Sequence, residues 1–242
     1  MVSKAIPRVG PNVRAVFFDA GYTLLCMEPE QRTNFLQSCA DLGILIDETR
    51  LDEGISRANL LFAPRGHADD PVPYSRRAID AFWIEYNRVL LNTCGSKARD
   101  AERAEDVYRR FMTRLDWRVY DEVRPLLEKL HARGVLLGII SNWTGDLEDV
   151  LRAVELRQAF DVVVDSALFG FEKPHPEIFR EASRRLSVRP SDSLHVGDSP
   201  EHDVEGALAF GMRAALLDRN GNFPDYDRAP RLRRLDEILR LL

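Results

Sequence analysis

Short apolar, β-rich runs recur along the chain, and each ends at a polar residue or a turn signal. The first, Val13 to Phe18 (VRAVFF), stops at Asp19. Comparable runs are Val135 to Ile140 (VLLGII), Asp161 to Asp165 (DVVVD), Ser193 to Val196 (SLHV) and Ala214 to Leu217 (AALL). Runs of this length bounded by turn residues predict buried strands. Between them, apolar residues recur at helical spacing over Asp121 to Arg133, Gly145 to Arg157, Pro176 to Leu186 and Pro200 to Phe210. Strand alternating with helix implies right-handed crossovers, so the pattern predicts an α/β core built on a mostly parallel, Rossmann-like sheet of five strands. Gly134 and Gly211 stand where the C-caps of two of these helices fall.

Residues 25–118 break the rhythm. Four long helical patterns follow one another there, around Gln31 to Leu42, Arg50 to Phe62, Ser75 to Leu91 and Ala98 to Leu115. The expected organisation is a core made of residues 13–24 and 119–242, interrupted by a helical insert over 25–118. Within the insert, Ala63 to Tyr74 (APRGHADDPVPY) is a polar loop rich in Pro and Gly. It serves either as a connection or as a cover for a substrate pocket.

The chain has 242 residues, of which 45% are hydrophobic and 30% charged, as in ordinary globular proteins. A formal charge of −5 leaves no global basic field, so nucleic acid is not an expected partner. Three cysteines, Cys26, Cys39 and Cys94, lack Cys-x-x-Cys spacing, which argues against both a disulfide framework and a zinc site. A cytoplasmic setting is expected. No stretch approaches eighteen uncharged apolar residues, so no membrane span is expected either. Oligomeric state is not legible.

Four segments carry the candidate chemistry. They are FFDAGYTL around Asp19, IISNW around Ser141, FEKPHPEIF around Lys173, and HVGDSPEHDVEGA around Asp198 and Asp203. Asp19, Ser141 and Asp198 each follow a predicted strand, and ligands of doubly wound sheets bind beyond strand C-termini. Taken singly, each segment is also ordinary turn or N-cap chemistry. Together, in this order and spacing, they resemble the four motifs of haloacid dehalogenase-like hydrolases, over Val13 to Leu217.

That resemblance implies a strand order of 3-2-1-4-5, with the insert acting as a cap domain. It implies Asp19 as a nucleophile that forms an aspartyl-phosphate. Mg²⁺ would be held by Asp19, Asp198 and the backbone carbonyl of Gly21, and such a hard cation suits oxygen ligands. Ser141, the Asn142 backbone and Lys173 would hold the phosphate, with Lys173 also neutralising developing charge. Thr23 would order the turn, and Asp203 would support metal-bound water or Lys173. The implied partner is a small phosphorylated metabolite.

One position departs from the family's phosphatases, which usually carry a second Asp two residues after the nucleophile as general acid and base. Here it is Gly21. Family branches without that Asp include dehalogenases and phosphonatases. Metal-free 2-haloacid dehalogenases typically replace the first Asp of the fourth motif with a small polar residue, whereas this chain keeps Asp198. Phosphonatases use a lysine of the insert as a Schiff base, and the only lysine there is Lys97, in a loop-like CGSKA setting. A low-turnover protein that binds a phosphorylated ligand is the remaining alternative. For an active phosphatase the acid would come from elsewhere, such as Tyr22 or His67, or the leaving group would need little protonation. Arg65, His67, Tyr74, Arg76 and Arg77 are candidates to meet an anionic leaving group.

Overall fold

The computed structural model describes residues 13–62, 76–95 and 97–242. They fall into two compact units, one made of the described residues up to Cys26 with Arg118–Leu242, the other of Met27–Trp117.

The first unit is an α/β layer structure. Its strands are Ala15–Phe18 (β1), Leu136–Ser141 (β4), Val162–Asp165 (β5), Ser193–Gly197 (β6), Arg213–Leu217 (β7) and Arg231–Leu232 (β8). They form one parallel sheet in the order β5-β4-β1-β6-β7-β8. The first five reproduce the 3-2-1-4-5 order implied by the motifs, and β8 adds a sixth strand of only two residues. Its brevity leaves no apolar run to read. Leu25–Glu28 (β2) and Asp116–Val119 (β3), which flank the inserted segment, pair in a separate two-stranded sheet. Neither carries the fully buried apolar run that marks the other strands, since β2 buries only Leu25 and β3 buries none of its four residues.

Each residue of AVFF in β1 is fully buried, which is why the run is continuously apolar: helices cover both faces of a parallel sheet. Ala15 and Phe17 pack on one side with Ile178, Phe179 and Ala182 of the helix Pro176–Leu186 and with Ala207 of the helix Gly206–Phe210. The expected C-caps are realised, with Gly134 at φ +71° and Gly211 at φ +95°. Residues Pro200–Glu205, expected as α-helix, instead form a wide π-turn. Asp203 folds back there so that its Oδ2 accepts from the Ser199 amide at 2.9 Å.

The second unit is helical, over Gln31–Asp41, Leu51–Asn59, Arg76–Cys94 and Ala104–Met112. Its core gathers Phe35, Leu51, Tyr86, Leu90, Leu91 and Val107. The Tyr86 hydroxyl accepts from Gln31 Nε2 and donates to Asn59 Oδ1, both at 3.0 Å, so this tyrosine is a satisfied core residue. The polar loop over 63–74, with Arg65, His67 and Tyr74, lies outside the described residues, and of Arg76 only the backbone is described. Arg77 is exposed. The three cysteines are free thiols, and no described helix is long and apolar enough to cross a membrane.

Gly138 shows how tightly the sheet centre is packed. A Cβ there would lie 2.5 Å from Phe17 Cδ1 and 2.8 Å from Val162 Cγ1. Gly138→Ala is expected to destabilise the protein by about 1–3 kcal/mol through overpacking, measured as a lower urea midpoint at unchanged m. An unchanged midpoint would show that the neighbours yield freely.

Candidate active site

Asp19 follows β1 directly, and its amide donates to the Val196 carbonyl of β6 at 2.9 Å, so the sheet itself aims this residue. Ser141 ends β4, the neighbour of β1 on the other side. Its hydroxyl donates to Asp19 Oδ1 at 2.9 Å. Lys173 Nζ reaches the same oxygen at 2.6 Å and, on its other side, Asp203 Oδ1 at 2.6 Å. Asp19 Oδ2 accepts no hydrogen bond among the described residues. Asp198 follows β6, and carboxylate oxygens of Asp19, Asp198 and Asp203 lie within 4.8 Å of one another. The residues expected to converge do so.

Three carboxylates face one ammonium. Lys173 is 2% exposed. Burial alone would favour its neutral form, but Asp19 and Asp203 more than compensate and raise its pKa, so it stays charged. Burial raises the Asp203 carboxyl, yet Lys173 and the hydrogen bond from His195 outweigh it and the net shift is downward. Asp19 is raised, chiefly by burial, against the pull of Lys173. Asp198 is raised well above the usual carboxylate range by burial and by the charges of Asp19 and Asp203. With all three carboxylates ionised the cluster would hold two more negative charges than positive ones, a crowding that the upward shift of Asp198 reflects. A hard divalent cation with oxygen ligands is the counter-ion this donor set suits.

The Gly21 carbonyl adds to the fit. In the loop after Asp19, Ala20 O accepts from the amides of Leu24 and Leu25, Leu24 O from Tyr120 N, and Leu25 O from Tyr22 N. Arg219 takes the carbonyls of Tyr22 and Thr23. From Ala20 to Leu25, only the Gly21 carbonyl accepts no hydrogen bond among the described residues. Thr23 is fully buried, and its hydroxyl has no partner among them. Its contribution to the turn runs through its backbone.

Several supporting residues were not legible as such. His195, inside β6 and fully buried, sets Nε2 at 2.9 Å from Asp203 Oδ1. Its only sequence signal was a polar residue inside an apolar run. The Asn142 side chain makes a two-way bond with the Lys173 backbone, donating to its carbonyl at 2.9 Å and accepting from its amide at 2.6 Å. Asn142 thus holds the loop that carries the lysine. Asp165, at the end of β5, accepts from the amides of Gly145, Leu147 and Ala167 and so organises the segment after Ser141. Gly197 admits Asp203: a Cβ there would lie 2.1 Å from the Asp203 carboxyl carbon. Lys97 is exposed, unlike the desolvated amine a Schiff base needs.

The chain has relatives among known proteins. "Haloacid dehalogenase-like hydrolase domain-containing protein 3" of Bos taurus is 35% identical over 140 residues, 56% of this chain and 55% of that protein. A phosphoserine phosphatase of Thermus thermophilus is 32% identical over 149 residues, 61% of this chain and 59% of its own length. In both cases the match spans less than two thirds of the relative. Among solved structures, an HAD phosphatase from Thermococcus onnurineus superposes with a TM-score of 0.61 at 26% identity, covering 94% of this chain and 96% of that one. A 2-haloacid dehalogenase from Pseudomonas syringae pv. Tomato gives 0.60 at 28%, covering 95% and 97%. The family model for haloacid dehalogenase-like hydrolases matches residues 13–211, a span that holds every side chain of the cluster built above, and the chain belongs to that family of hydrolases.

Proposed function

We propose that the protein is a Mg²⁺-dependent phosphatase of small phosphorylated metabolites, acting through a covalent intermediate on Asp19. The observation that carries this reading is the convergence of Ser141 Oγ and Lys173 Nζ on one oxygen of Asp19, beside two further carboxylates. A nucleophile, two donors for a phosphoryl group and a cation site thus lie together. The phosphoserine phosphatase and HAD phosphatase relatives support the substrate class.

In the first step an Asp19 carboxylate oxygen bonds to phosphorus while the bond from phosphorus to the leaving oxygen breaks, and that oxygen departs as an anion that takes its proton from water. In the second, water attacks phosphorus, the acyl phosphate bond breaks, and Asp19 is regenerated with inorganic phosphate. Oδ2, which accepts no hydrogen bond among the described residues, would be the attacking oxygen. Ser141 and Lys173 donate to phosphate oxygens, where fixed donors stabilise charge as it develops. Asp203 keeps Lys173 charged and oriented. Asp19, Asp198 and the Gly21 carbonyl would hold Mg²⁺, which when bound neutralises phosphate charge as a Lewis acid. A reducing, cytoplasmic setting accords with three free thiols.

Asp198 separates this reading from metal-free dehalogenation. Asp19→Asn is expected to lower phosphate ester turnover by at least about 10³-fold, because an amide does not attack phosphorus, with the circular dichroism spectrum unchanged. A folded Asn variant close to wild-type rate would remove Asp19 as nucleophile. In the same assays, chloride release from 2-haloacids in EDTA without phosphatase activity would install the dehalogenase reading. Phosphate-ligand binding without any turnover would install the binding reading.

Gly21 is not at positive φ, and among the described residues a Cβ there would meet only Trp143 Cζ3, at an ordinary 3.5 Å. The backbone therefore accepts Gly21→Asp. The wild type is expected to prefer aryl and acyl over alkyl phosphates, and the Asp variant to gain about 10²-fold on alkyl phosphates through general acid catalysis. Equal wild-type rates on aryl and alkyl esters would show that another group already protonates the leaving oxygen.

A further inference from the structure

The loop that follows Asp19 is strained at one residue, and beyond its own backbone bonds and that from Tyr120 a single side chain grips two of its carbonyls. Tyr22 sits at φ +57°, a region that bulky residues rarely occupy. The residue whose side chain grips this loop is Arg219, two positions beyond the end of β7. Its Nε donates to the Tyr22 carbonyl at 3.2 Å and its Nη2 to the Thr23 carbonyl at 2.9 Å. Nη1 bonds to Glu122 Oε1 at 2.5 Å, and the guanidinium lies 3.7 Å from the centre of the Tyr120 ring. Both charged groups of the pair are largely buried, at 17% and 6% side-chain exposure. Asp218 fixes the start of this segment, accepting from the amides of Asn222 and Phe223.

We infer that Arg219 is a positioning residue of the active site, a fork that holds the Tyr22 and Thr23 carbonyls and thereby sets Asp19 and the free Gly21 carbonyl in their working geometry. The inference rests on Asp19 being the reacting group. Its physical basis is the number of demands made on one side chain. Two adjacent carbonyls, a carboxylate and an aromatic face are satisfied together by a planar group with donors in three directions. A lysine ammonium has neither the fork nor the flat face. Because Arg219 takes the carbonyls on the far side of Gly21, Gly21's own stays unclaimed. The strained φ at Tyr22 persists because the surroundings over-determine it. Nothing in the arrangement places Arg219 against the substrate.

The test compares wild type with Arg219→Ala, Arg219→Lys and Glu122→Gln, all as the full chain with Mg²⁺. Two quantities are read: aryl phosphate kinetics, and hydrogen exchange of the peptide spanning residues 20–25, whose Tyr22, Leu24 and Leu25 amides are bonded inside the loop. Arg219→Ala is expected to exchange faster in that peptide and to lose on the order of 10²-fold in kcat with KM changed by less than about threefold, the pattern of misplaced reacting groups. Guanidinium at millimolar concentration should recover part of the loss. Arg219→Lys should behave like the Ala variant despite keeping the charge, and Glu122→Gln should show a smaller effect of the same kind. If Arg219→Ala does not fold, the Lys and Gln variants decide alone. Wild-type kcat in a folded Lys or Ala variant, or loop exchange unchanged from wild type, would overturn the inference. So would a loss confined to melting temperature. Should the wild type hydrolyse no phosphate ester, the phosphatase reading fails by itself, while the exchange data still decide whether Arg219 holds the loop.

Discussion

The site depends on one buried ammonium. Lys173 is withdrawn from water between Asp19 and Asp203, 2.6 Å from each. Burying a charge costs several kcal/mol unless close, well-oriented partners offset it. Asp19 and Asp203 are such partners, and each is itself fixed. Asp19 hangs from the sheet through its amide. Asp203 is gripped by His195 and by the Ser199 amide, in a space that exists because Gly197 has no Cβ. The lysine's backbone is clamped by Asn142. Remove any of these and the ammonium loses a partner it has no water to replace.

This arrangement prepares a field for chemistry as well as a stable core. Donors aimed at a fixed point in a dry site cost no reorganisation when charge develops there. The same crowding makes the site incomplete electrostatically. Asp198 is pushed up by burial and by its two neighbouring carboxylates, a conflict that a divalent cation would relieve. The excess of negative charge also opposes a phosphate dianion. On the proposed phosphatase reading, cation and substrate would therefore be coupled, since the charge that attracts one repels the other.

Much of this was readable in the chain. The five central strands followed from apolar runs, because a strand covered on both faces leaves an unbroken signature, and their order came from the family resemblance that the motifs carry. Asp19, Ser141, Lys173 and Asp198 were visible because each sits at a strand end or beside a turn signal. What was hidden has a common cause. Apart from the Asp165 bond to Ala167, His195, Asp165 and the Asn142 side chain act through partners 8 to 31 residues away in sequence, and nothing in their immediate neighbours announces those partners. Strands β2 and β3 bury too little to leave an apolar run, and β8 has only two residues. The π-turn over Pro200–Glu205 exists to return Asp203 to the site, a tertiary demand that local propensity does not carry.

Gly21 leads to the last step. A glycine in a tight loop usually answers a conformational need, a positive φ or a close approach that excludes Cβ. Neither holds at this position. The positive φ belongs to the next residue, Tyr22, and the space around a Cβ at Gly21 is ordinary. The loop's geometry is held by Arg219 and by its own hydrogen bonds, whatever side chain residue 21 carries. The missing carboxylate is therefore not a sacrifice made for the backbone, and its explanation lies in the chemistry. Either the leaving group departs with little need of a proton, or the proton comes from another group. If the protein is the phosphatase proposed above, the barrier to leaving-group departure, more than recognition of the phosphoryl group, is what would distinguish it from family phosphatases that keep an aspartate there.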